Sequence, residues 1–355
     1  MNDSNQTEKR KSDHIEICST KDVTARYNFW DDISLVHLAT PEIDYEEIDT
    51  QLRLFGCQLS APIVISGMTG GTESGKKINA SLAKAASDLQ VGMGVGSQRA
   101  AIEKTSLSGS YEVLRDFDIP LKLANIGAPQ LVMAGSYKHA CEMVGDAMDM
   151  IEADLIAVHL NYLQEAVQPE GEKRAKGLLS MIRDLAIDFP VIVKETGCGM
   201  SPELIETLSR MKVKGVDVGG AGGTSFSAVE YYRSQEVGDR MRARLGRTFW
   251  DWGIPTPVSA AVASLHFPTI ATGGVRNGLD VARAVVVGAN TAGIANRLLA
   301  PAIEGEDSAE AELREIIEEL KVAMFLTGSK NVKQLSEHDP LVSGPTRDWV
   351  EHLVT

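Results

Sequence analysis

The side chains that could do chemistry in this sequence recur directly after short apolar segments. Residues 66–71, 96–99 and 273–276 combine glycine with hydroxyl, amide or guanidinium groups, and residues 159–165 offer an imidazole, amides and a carboxylate. Glycines let backbone N–H groups close on an anion, particularly where a helix begins beside them. A carboxylate among amides suits Mg²⁺, which prefers oxygen ligands. This combination indicates a site for a phosphorylated ligand and a divalent cation, with Glu165 as the metal ligand.

Lysine and arginine residues add positive charge to the same predicted site. Lys194 ends an apolar segment and precedes Glu195. Because successive strand residues point to opposite faces, we expect Lys194 to face inward and Glu195 outward. Arg10 and Lys11 lie near the N-terminus, and if that segment folds over the site they could hold a diphosphate together with Arg99.

The apolar segments are predicted to be strands, since they are short and rich in β-branched residues. They cover residues 62–66, 91–95, 121–125, 154–159, 190–194, 215–218, 269–272 and 291–294. Helical periodicity predicts helices at residues 74–89, 106–116, 138–151, 175–187, 202–211, 257–265, 278–287 and 308–327. This alternation predicts an α/β fold in which a parallel sheet closes into a (β/α)8 TIM barrel, rather than an open doubly wound sheet. The polar clusters would then share the face formed by the carboxyl ends of the strands.

The same pattern divides the chain into three parts. Residues 61–330 form the predicted barrel, residues 1–60 an N-terminal extension that contributes to the substrate site, and residues 331–355 a C-terminal tail. Residues 219–255, after the sixth predicted strand, form a long connection rich in arginine. Connections of this length are usually functional or mobile. The sequence leaves open whether this one is a lid over the site or a subunit contact.

Composition and charge exclude several classes of function. The net charge is −14 and the pI about 5.0, a balance that repels nucleic acid and anionic membranes. No apolar stretch reaches the roughly 18 residues that span a bilayer, and the polar N-terminus lacks the apolar core of a signal peptide. The four cysteines have irregular spacing, typical of thiols in a reducing compartment. We therefore expect a cytoplasmic protein that holds its anionic ligand with a local basic cluster.

Taken together, the motifs resemble those of one family of flavoenzymes. They comprise residues 10–14 (RKSDH), 68–71 (MTGG), 96–99 (GSQR), 159–165 (HLNYLQE), 194–195 (KE), 222–225 (GGTS), 252–256 (WGIPT) and 273–276 (GGVR). In this order they are similar to the motifs of type 2 isopentenyl-diphosphate isomerase, over about residues 10–296. The motifs at 96–99 and 159–165 are the most specific, whereas GGVR is shared by many FMN barrels. The first motif often has glutamate where this chain has Asp13.

The resemblance implies interconversion of isopentenyl and dimethylallyl diphosphate, with reduced FMN and Mg²⁺ as cofactors, NADPH as reductant, and a homo-oligomer, either a tetramer or an octamer. The implied FMN site comprises Gly67, Met68, Thr69, Ser97, Asn125, Lys194, Thr224, Gly274, Val275, Arg276, Ala295 and Asn296. The implied substrate site comprises Arg10, Lys11, Ser97, Gln98, Arg99, His159, Asn161 and Gln164. Gln164 and His159 are the predicted catalytic residues, and Glu165 would ligate Mg²⁺. An amide is a poor acid and a poor base, so we expect the reduced flavin to carry the protons while Gln164 and His159 orient the reactants.

Two alternatives share parts of this pattern. An FMN-dependent 2-hydroxy-acid oxidoreductase would have the same barrel and phosphate loop, but its chemistry needs a histidine base after the sixth strand. Residues 219–224 read Gly-Gly-Ala-Gly-Gly-Thr at that place. A non-catalytic flavin-binding barrel would have little need for a metal-ligating carboxylate such as Glu165. Both alternatives are therefore disfavoured.

Overall fold

A closed barrel of eight parallel strands forms the centre of the protein. The computed structural model describes residues 3–354. Its strands are β1 (Ile33–Ser34), β2 (Leu52–Leu54), β3 (Cys57–Leu59), β4 (Ile63–Ile65), β5 (Gly92–Gly94), β6 (Lys122–Gly127), β7 (Leu155–His159), β8 (Val191–Lys194), β9 (Gly215–Asp217), β10 (Thr269–Thr272), β11 (Thr291–Ile294) and β12 (Leu341–Val342). Strands β4 to β11 pair in chain order, and β11 pairs with β4 to close the ring. The predicted (β/α)8 barrel is confirmed, and each predicted strand overlaps one of these eight strands.

The barrel strands are short and apolar because both of their faces are buried. Along β4, Val64 packs inside the barrel, whereas Ile63 and Ile65 join the larger core under the surrounding helices. The hairpin of β2 and β3 contributes Leu54 and Leu59 to the interior cluster. Its tip lies at the amino end of β9, where a Cβ on Gly215 would come 2.7 Å from Phe55. One end of the barrel is therefore closed by apolar packing, which leaves the carboxyl end for polar residues.

Helices surround the barrel as the periodicity predicts. They are α1 (Asp3–Thr20), α2 (Glu73–Asp88), α3 (Arg99–Glu103), α4 (Gly109–Glu112), α5 (Ala128–Met133), α6 (Tyr137–Ile151), α7 (Tyr162–Val167), α8 (Leu178–Asp188), α9 (Pro202–Ser209), α10 (Phe226–Glu236), α11 (Arg240–Thr248), α12 (Thr256–Ser264), α13 (Gly278–Val286), α14 (Asn296–Glu304), α15 (Glu306–Leu326), α16 (Val332–Ser336) and α17 (Gly344–Leu353). Short 3₁₀ turns cover Phe29–Asp32, Tyr45–Glu47, Thr105–Leu107 and Val113–Asp116.

One predicted helix, at residues 106–116, is wrong as a continuous element. The structure has a 3₁₀ turn, the single turn α4 and another 3₁₀ turn in this region. The local sequence is rich in serine and glycine, which have poor helix propensity. The hydroxyl of Ser110 bonds the backbone instead, donating to Leu107 O and accepting from Gly71 N.

Two helical elements cover the carboxyl end of the barrel. Helix α1 packs against α3, α10 and α14. Residues 219–255 are largely a helical hairpin, because α10 and α11 pack against each other and both contact α7. The sequence pattern indicated a loop there, since charged residues interrupt the apolar periodicity. The carboxyl end of the barrel is thus covered by helices from outside the repeating βα pattern.

The C-terminal residues connect back to the N-terminal ones. Strand β12 pairs with β1, and α17 packs against α12 and the 3₁₀ turn Phe29–Asp32. Asp32, a buried residue of that turn, accepts a hydrogen bond from Thr346 N at 2.9 Å. Within residues 3–354, no helix combines the length and the apolar character needed to cross a membrane.

Candidate functional site

A cavity of about 550 Å³ opens at the carboxyl ends of the barrel strands. It is lined by all but one of the predicted site residues, namely Arg10, Lys11, Gly67, Met68, Thr69, Ser97, Arg99, Asn125, His159, Asn161, Gln164, Glu165, Lys194, Thr224, Gly274, Val275, Arg276, Ala295 and Asn296. These residues come from α1 and from the ends or following loops of all eight barrel strands. The barrel topology therefore brings together side chains that are almost 300 residues apart in the sequence.

Gln98 is the predicted site residue that the structure places outside the cavity. Its side chain is fully buried between β6 and α6, where Nε2 donates to Ala147 O at 2.7 Å and Oε1 accepts from Asn125 N at 2.8 Å. Within the GSQR motif, Ser97 and Arg99 line the cavity and Gln98 points away from it. Gln98 thus fixes the end of β6, on which Asn125 stands.

Replacing Gln98 with alanine should destabilise the fold by about 2–4 kcal/mol, because two buried backbone groups would lose their partners. Urea unfolding followed by circular dichroism would measure this loss. Gln235→Ala, at an exposed position of α10, is the matched control and should change stability much less. Equal effects of the two substitutions would contradict the structural role of Gln98.

A glycine-rich turn after β10 shapes one end of the cavity. A Cβ on Gly223 would lie 2.4 Å from Gly274 N, and Gly274 has a φ of 75°, which favours glycine. In the neighbouring loop, α14 begins at Asn296, and Ala295 before it provides no side-chain cap. The first two N–H groups of α14, those of Asn296 and Arg297, therefore lack an intrahelical partner, and this end of the helix carries the positive end of its dipole. This end of the cavity is suited to a phosphate group.

The Arg276 side chain lies beside this turn but is already engaged. Its Nε donates to Asp280 Oδ2 at 2.8 Å, and Nη2 donates to Asp31 Oδ1 at 2.6 Å. Hydrogen bonds to Asp280 and then Asp31 raise the pKa of Arg276 above its ordinary value. Arg276 therefore holds the turn in place, and these four bonds leave one N–H of Nη1 for an anion.

Lys194 forms a buried ion pair with an acidic residue that the sequence analysis did not single out. Its Nζ lies 2.5 Å from Asp217 Oδ2, and Lys194 and Asp217 are direct partners in the β8–β9 register. Glu195 also lines the cavity instead of facing outward, because its carboxylate accepts N–H bonds from the following loop, including Thr196 N at 2.6 Å. Burial raises the pKa of Glu195 to about 7, against these backbone donors and the charge of Lys194. The sequence signal for the Lys194–Asp217 pair is Asp217 itself, because an aspartate within an apolar strand needs a cationic partner.

His159 is held in the neutral form with a fixed orientation. Burial, and then the charges of Lys194 and Lys11, lower the pKa of His159 to about 3. Asn125 Nδ2 donates to Val95 O at 2.9 Å, so Asn125 Oδ1 is the acceptor for His159 Nδ1 at 2.7 Å. Nδ1 then carries the proton and Nε2 is left as a hydrogen-bond acceptor.

Gln164 is oriented by a buried carboxylate from α10. Glu230 is fully buried and its Oε1 accepts from Gln164 Nε2 at 3.1 Å, while His14 Nε2 lies 2.9 Å from the same oxygen. Arg233 Nη1 donates to Glu230 Oε2 at 2.6 Å. Burial alone would raise the pKa of Glu230, but His14, Arg233 and Gln164 together lower it to about 2. This network connects α1, α7 and α10, and the sequence indicated it only through the alternating charges of residues 219–255.

Glu165 lies on the same helix as Gln164, and its carboxylate is buried. Its Oε2 accepts from Gln168 Nε2 at 2.6 Å and from Glu172 N at 2.7 Å, and Oε1 accepts from Asn161 Nδ2 at 3.2 Å. These donors fix the carboxylate at the cavity wall. Within residues 3–354, no group of three or more His, Cys, Asp or Glu side chains forms a metal site. A cation bound at Glu165 would therefore take most of its ligands from water and from the substrate.

Three basic residues also line the cavity wall. The Arg10 side chain has no hydrogen bond or ion pair in the part of the chain that the structure describes, and burial, opposed by Glu165, lowers its pKa. Lys11 Nζ donates to Ser97 O at 2.7 Å and to Tyr111 Oη at 2.6 Å. Arg99 Nε pairs with Glu103 at 2.6 Å, which leaves its other nitrogens available. This cluster supplies the local positive charge that a protein of net charge −14 needs to bind an anion.

Sequence relatives show the family to which this chain belongs. The sequence is 46% identical over 344 residues to isopentenyl-diphosphate delta-isomerase of Thermoplasma volcanium, an alignment that covers 97% of this chain and 99% of that protein. The chain belongs to the type 2 isopentenyl-diphosphate isomerase family. The protein of the same name from Pyrococcus furiosus is 41% identical, with coverage of 100% of this chain and 91% of that protein.

The type 2 isomerase family is a family of FMN barrels, and other comparisons agree with this. Residues 179–341 match the FMN-dependent dehydrogenase family model. The solved structure of mandelate oxidase with (S)-2-phenylpropionate superposes with a TM-score of 0.63 at 16% identity, covering 96% of this chain and 98% of that chain. A flavocytochrome b2 variant with bound sulfite gives a TM-score of 0.61 at 15% identity, covering 88% and 76% of the two chains. At these identities the two structures show a shared fold only.

Proposed function

We propose that this chain interconverts isopentenyl and dimethylallyl diphosphate by allylic proton addition and removal, as an enzyme of isoprenoid biosynthesis. The observation that carries the proposal is the pair of basic residues Arg10 and Lys11, which line the cavity without an ion-pair partner among the described residues, so that burial lowers the pKa of both. A cation kept unpaired in a buried position is costly unless an anionic ligand neutralises it. A diphosphate supplies the charge that these two residues and Arg99 lack.

FMN fits the part of the cavity between the glycine-rich turn and Lys194. The uncapped start of α14 and the positive-φ turn at Gly274 would hold its phosphate. The buried hydroxyl of Thr69 has no hydrogen-bond partner within residues 3–354, which suits a polar ligand beside it. When bound, reduced FMN supplies an electron-rich ring and titratable nitrogens. Lys194, held in place by its ion pair with Asp217, would lie beside that ring as a hydrogen-bond donor.

We propose Mg²⁺ as the metal and Glu165 as its protein ligand. Mg²⁺ usually binds through one or two carboxylates, keeps several waters and takes oxygens from substrate phosphates. A single carboxylate fixed by Asn161, Gln168 and the Glu172 amide fits this preference. The metal would neutralise the part of the diphosphate that the cations on α1 do not reach.

The roles proposed for His159 and Gln164 follow from their hydrogen bonds. His159 stays neutral, since its pKa is about 3, so it can accept a hydrogen bond but does not serve as a general acid near neutral pH. Gln164 has an amide that cannot titrate, and Glu230 determines which way that amide points. Both residues would orient the reacting alkene, while α1 and α10 exclude water from it.

We also propose a reductant and an assembly. NADPH would set the redox state of FMN without net turnover. A homo-oligomer, a tetramer or octamer, is supported by the outer face of the α10–α11 hairpin, which exposes Val237, Met241 and Trp252. The inner face of the same hairpin covers the site through Glu230, so one segment would serve both as cover and as subunit contact. Size-exclusion chromatography coupled to light scattering would test the assembly.

The hydroxy-acid oxidoreductase alternative shares the fold but lacks support at the site. Residues 219–224, which form the turn after β9, contain no histidine. His159 stands on a different strand, β7, and its Nδ1 is bonded to Asn125. Reduction of bound FMN by lactate or glycolate would favour this alternative. Binding of flavin without any conversion of substrate would instead favour the non-catalytic barrel.

The decisive experiment measures flavin uptake before activity. The purified protein, incubated with FMN and freed of excess, should show an oxidised-flavin absorption band. After reduction with dithionite and addition of Mg²⁺, it should convert isopentenyl diphosphate to dimethylallyl diphosphate. A protein that takes up no FMN, or that takes it up and leaves isopentenyl diphosphate unchanged under these conditions, would refute the proposed function.

A further inference from the structure

Tyr111 is a fully buried residue that lies outside the cavity yet bonds one of its cations. It stands on α4, in the region where the predicted helix is broken. Its hydroxyl donates to Ser97 O at 2.7 Å and accepts from Lys11 Nζ at 2.6 Å. Lys11 Nζ also donates to Ser97 O at 2.7 Å. The three groups form a closed triangle of hydrogen bonds that attaches α1 to the barrel.

Two glycines of the MTGG motif make room for this triangle. A Cβ on Gly70 would lie 2.1 Å from Tyr111 Cε1. A Cβ on Gly71 would lie 3.1 Å from the Tyr111 hydroxyl and 3.2 Å from Lys11 Cδ. Both glycines have positive φ, 139° and 76°, so the backbone there already favours glycine. The motif therefore serves the placement of Tyr111 and Lys11 as well as any contact to the ligand.

We infer that Tyr111 is a positioning residue that directs the Lys11 ammonium group toward the diphosphate of the substrate. An ammonium group has three N–H donors, and two of them are used by Ser97 O and Tyr111 Oη. Lys11 lines the cavity, so the third donor remains for a ligand. Both acceptors are neutral, so no carboxylate cancels the charge of Lys11. Burial, and then the charge of Arg10, lower the pKa of Lys11 to about 7, and a bound anion would favour its charged form. The inference rests on the proposed function, since it names the group that the substrate's diphosphate would contact.

The aromatic ring adds to this arrangement. Lys11 Nζ lies 5.2 Å from the centroid of the Tyr111 ring, within the range of a cation–π contact. Tyr111→Phe keeps the ring and the packing against Gly70 while removing only the hydroxyl. The substitution therefore isolates the hydrogen bond to Lys11 from the core packing of Tyr111.

The test is a double-mutant cycle on the FMN-loaded protein, with inorganic pyrophosphate and Mg²⁺ as the probe in isothermal titration calorimetry. Tyr111→Phe should weaken pyrophosphate binding about 5–10-fold, the effect of losing one ordinary hydrogen bond. In the isomerisation assay KM should rise by a similar factor while kcat changes less than about threefold. In a Lys11→Met background, Tyr111→Phe should have no further effect on pyrophosphate affinity. Tyr137→Phe, a partly exposed tyrosine on α6, is the control and should bind pyrophosphate like the natural protein.

The outcomes separate this inference from the proposed function. Equal losses from Tyr111→Phe in the natural and Lys11→Met backgrounds would overturn the inference, because Tyr111 would then act independently of Lys11. Unchanged affinity in Tyr111→Phe would overturn it as well, provided that thermal unfolding shows the variant to be folded. Absence of pyrophosphate binding in the natural protein would instead refute the diphosphate substrate and the proposed function with it.

Discussion

Replacing Glu230 with glutamine should reduce isomerase activity by roughly 10–100-fold and destabilise the protein by about 3 kcal/mol. Glutamine keeps the size of the side chain but removes the charge that pairs with Arg233 and lies beside His14 Nε2. An amide also offers its own N–H donors to Gln164, so the Gln164 amide would no longer be held in one orientation. Activity with reduced FMN and Mg²⁺, together with urea unfolding, would measure both effects.

Glu236→Gln is the matched control for this substitution. It removes the same charge from the same helix, but Glu236 is exposed at the end of α10. If the two variants lost activity and stability equally, the effect would come from the overall charge of α10, and the network around Glu230 would have no specific role.

The pH dependence of stability gives an independent check on Glu230. Its pKa in the folded protein is about 2, below the ordinary value of 4.5, because His14, Arg233 and Gln164 outweigh the effect of burial. A group with a lowered folded-state pKa stabilises the protein fully above its ordinary pKa and loses this contribution as the pH falls through the folded value. The stability difference between the natural protein and Glu230→Gln should therefore shrink as the pH falls from about 4.5 to about 2.

The barrel could be predicted from the sequence because its signals are local and repeated. Each strand is a short segment buried on both faces, and each is followed by a helix, so eight independent signals agree on one topology. The ends of the strands could be predicted as one site for the same reason, since the fold brings them to one face without further information. Seventeen of the twenty predicted site residues line the cavity for this reason, whereas Arg10 and Lys11 line it from α1.

The rest of the site depends on contacts between distant segments, which leave no periodic signal. Helix α1 is mostly polar, and its role comes from Lys11, which bonds Ser97 O after β5, and from His14, which bonds Glu230 on α10. Both partners lie more than 80 residues away in the sequence. Gln98 lies between the site residues Ser97 and Arg99 and was predicted to join them. Only the backbone conformation of the turn shows that its side chain points toward α6 instead. The sequence around Asp217 and Glu230 does not distinguish them from ordinary strand and loop residues. Their roles follow from burial, because a buried carboxylate needs a cationic partner, here Lys194 and Arg233.

Replacing Glu165 with glutamine should raise the Mg²⁺ concentration for half-maximal isomerisation by at least about 10-fold. A neutral amide is a much weaker Mg²⁺ ligand than a carboxylate. The described residues also contain no group of three or more His, Cys, Asp or Glu side chains that could hold the ion instead. FMN binding should be unaffected, because Glu165 lies on α7, away from the glycine-rich turn and the start of α14. Titration of Mg²⁺ at saturating FMN and substrate would measure the shift.

Two further variants make the Glu165 result specific. Glu165→Asp keeps the carboxylate on a shorter side chain and should recover part of the Mg²⁺ affinity. Glu172→Gln removes a neighbouring charge whose carboxylate pairs with Arg174, while the Glu172 backbone amide that bonds Glu165 is kept. It should shift the Mg²⁺ requirement far less than Glu165→Gln. An unchanged Mg²⁺ titration in Glu165→Gln would remove this residue from the metal site, and the ion would then be held by the diphosphate and water without a protein carboxylate.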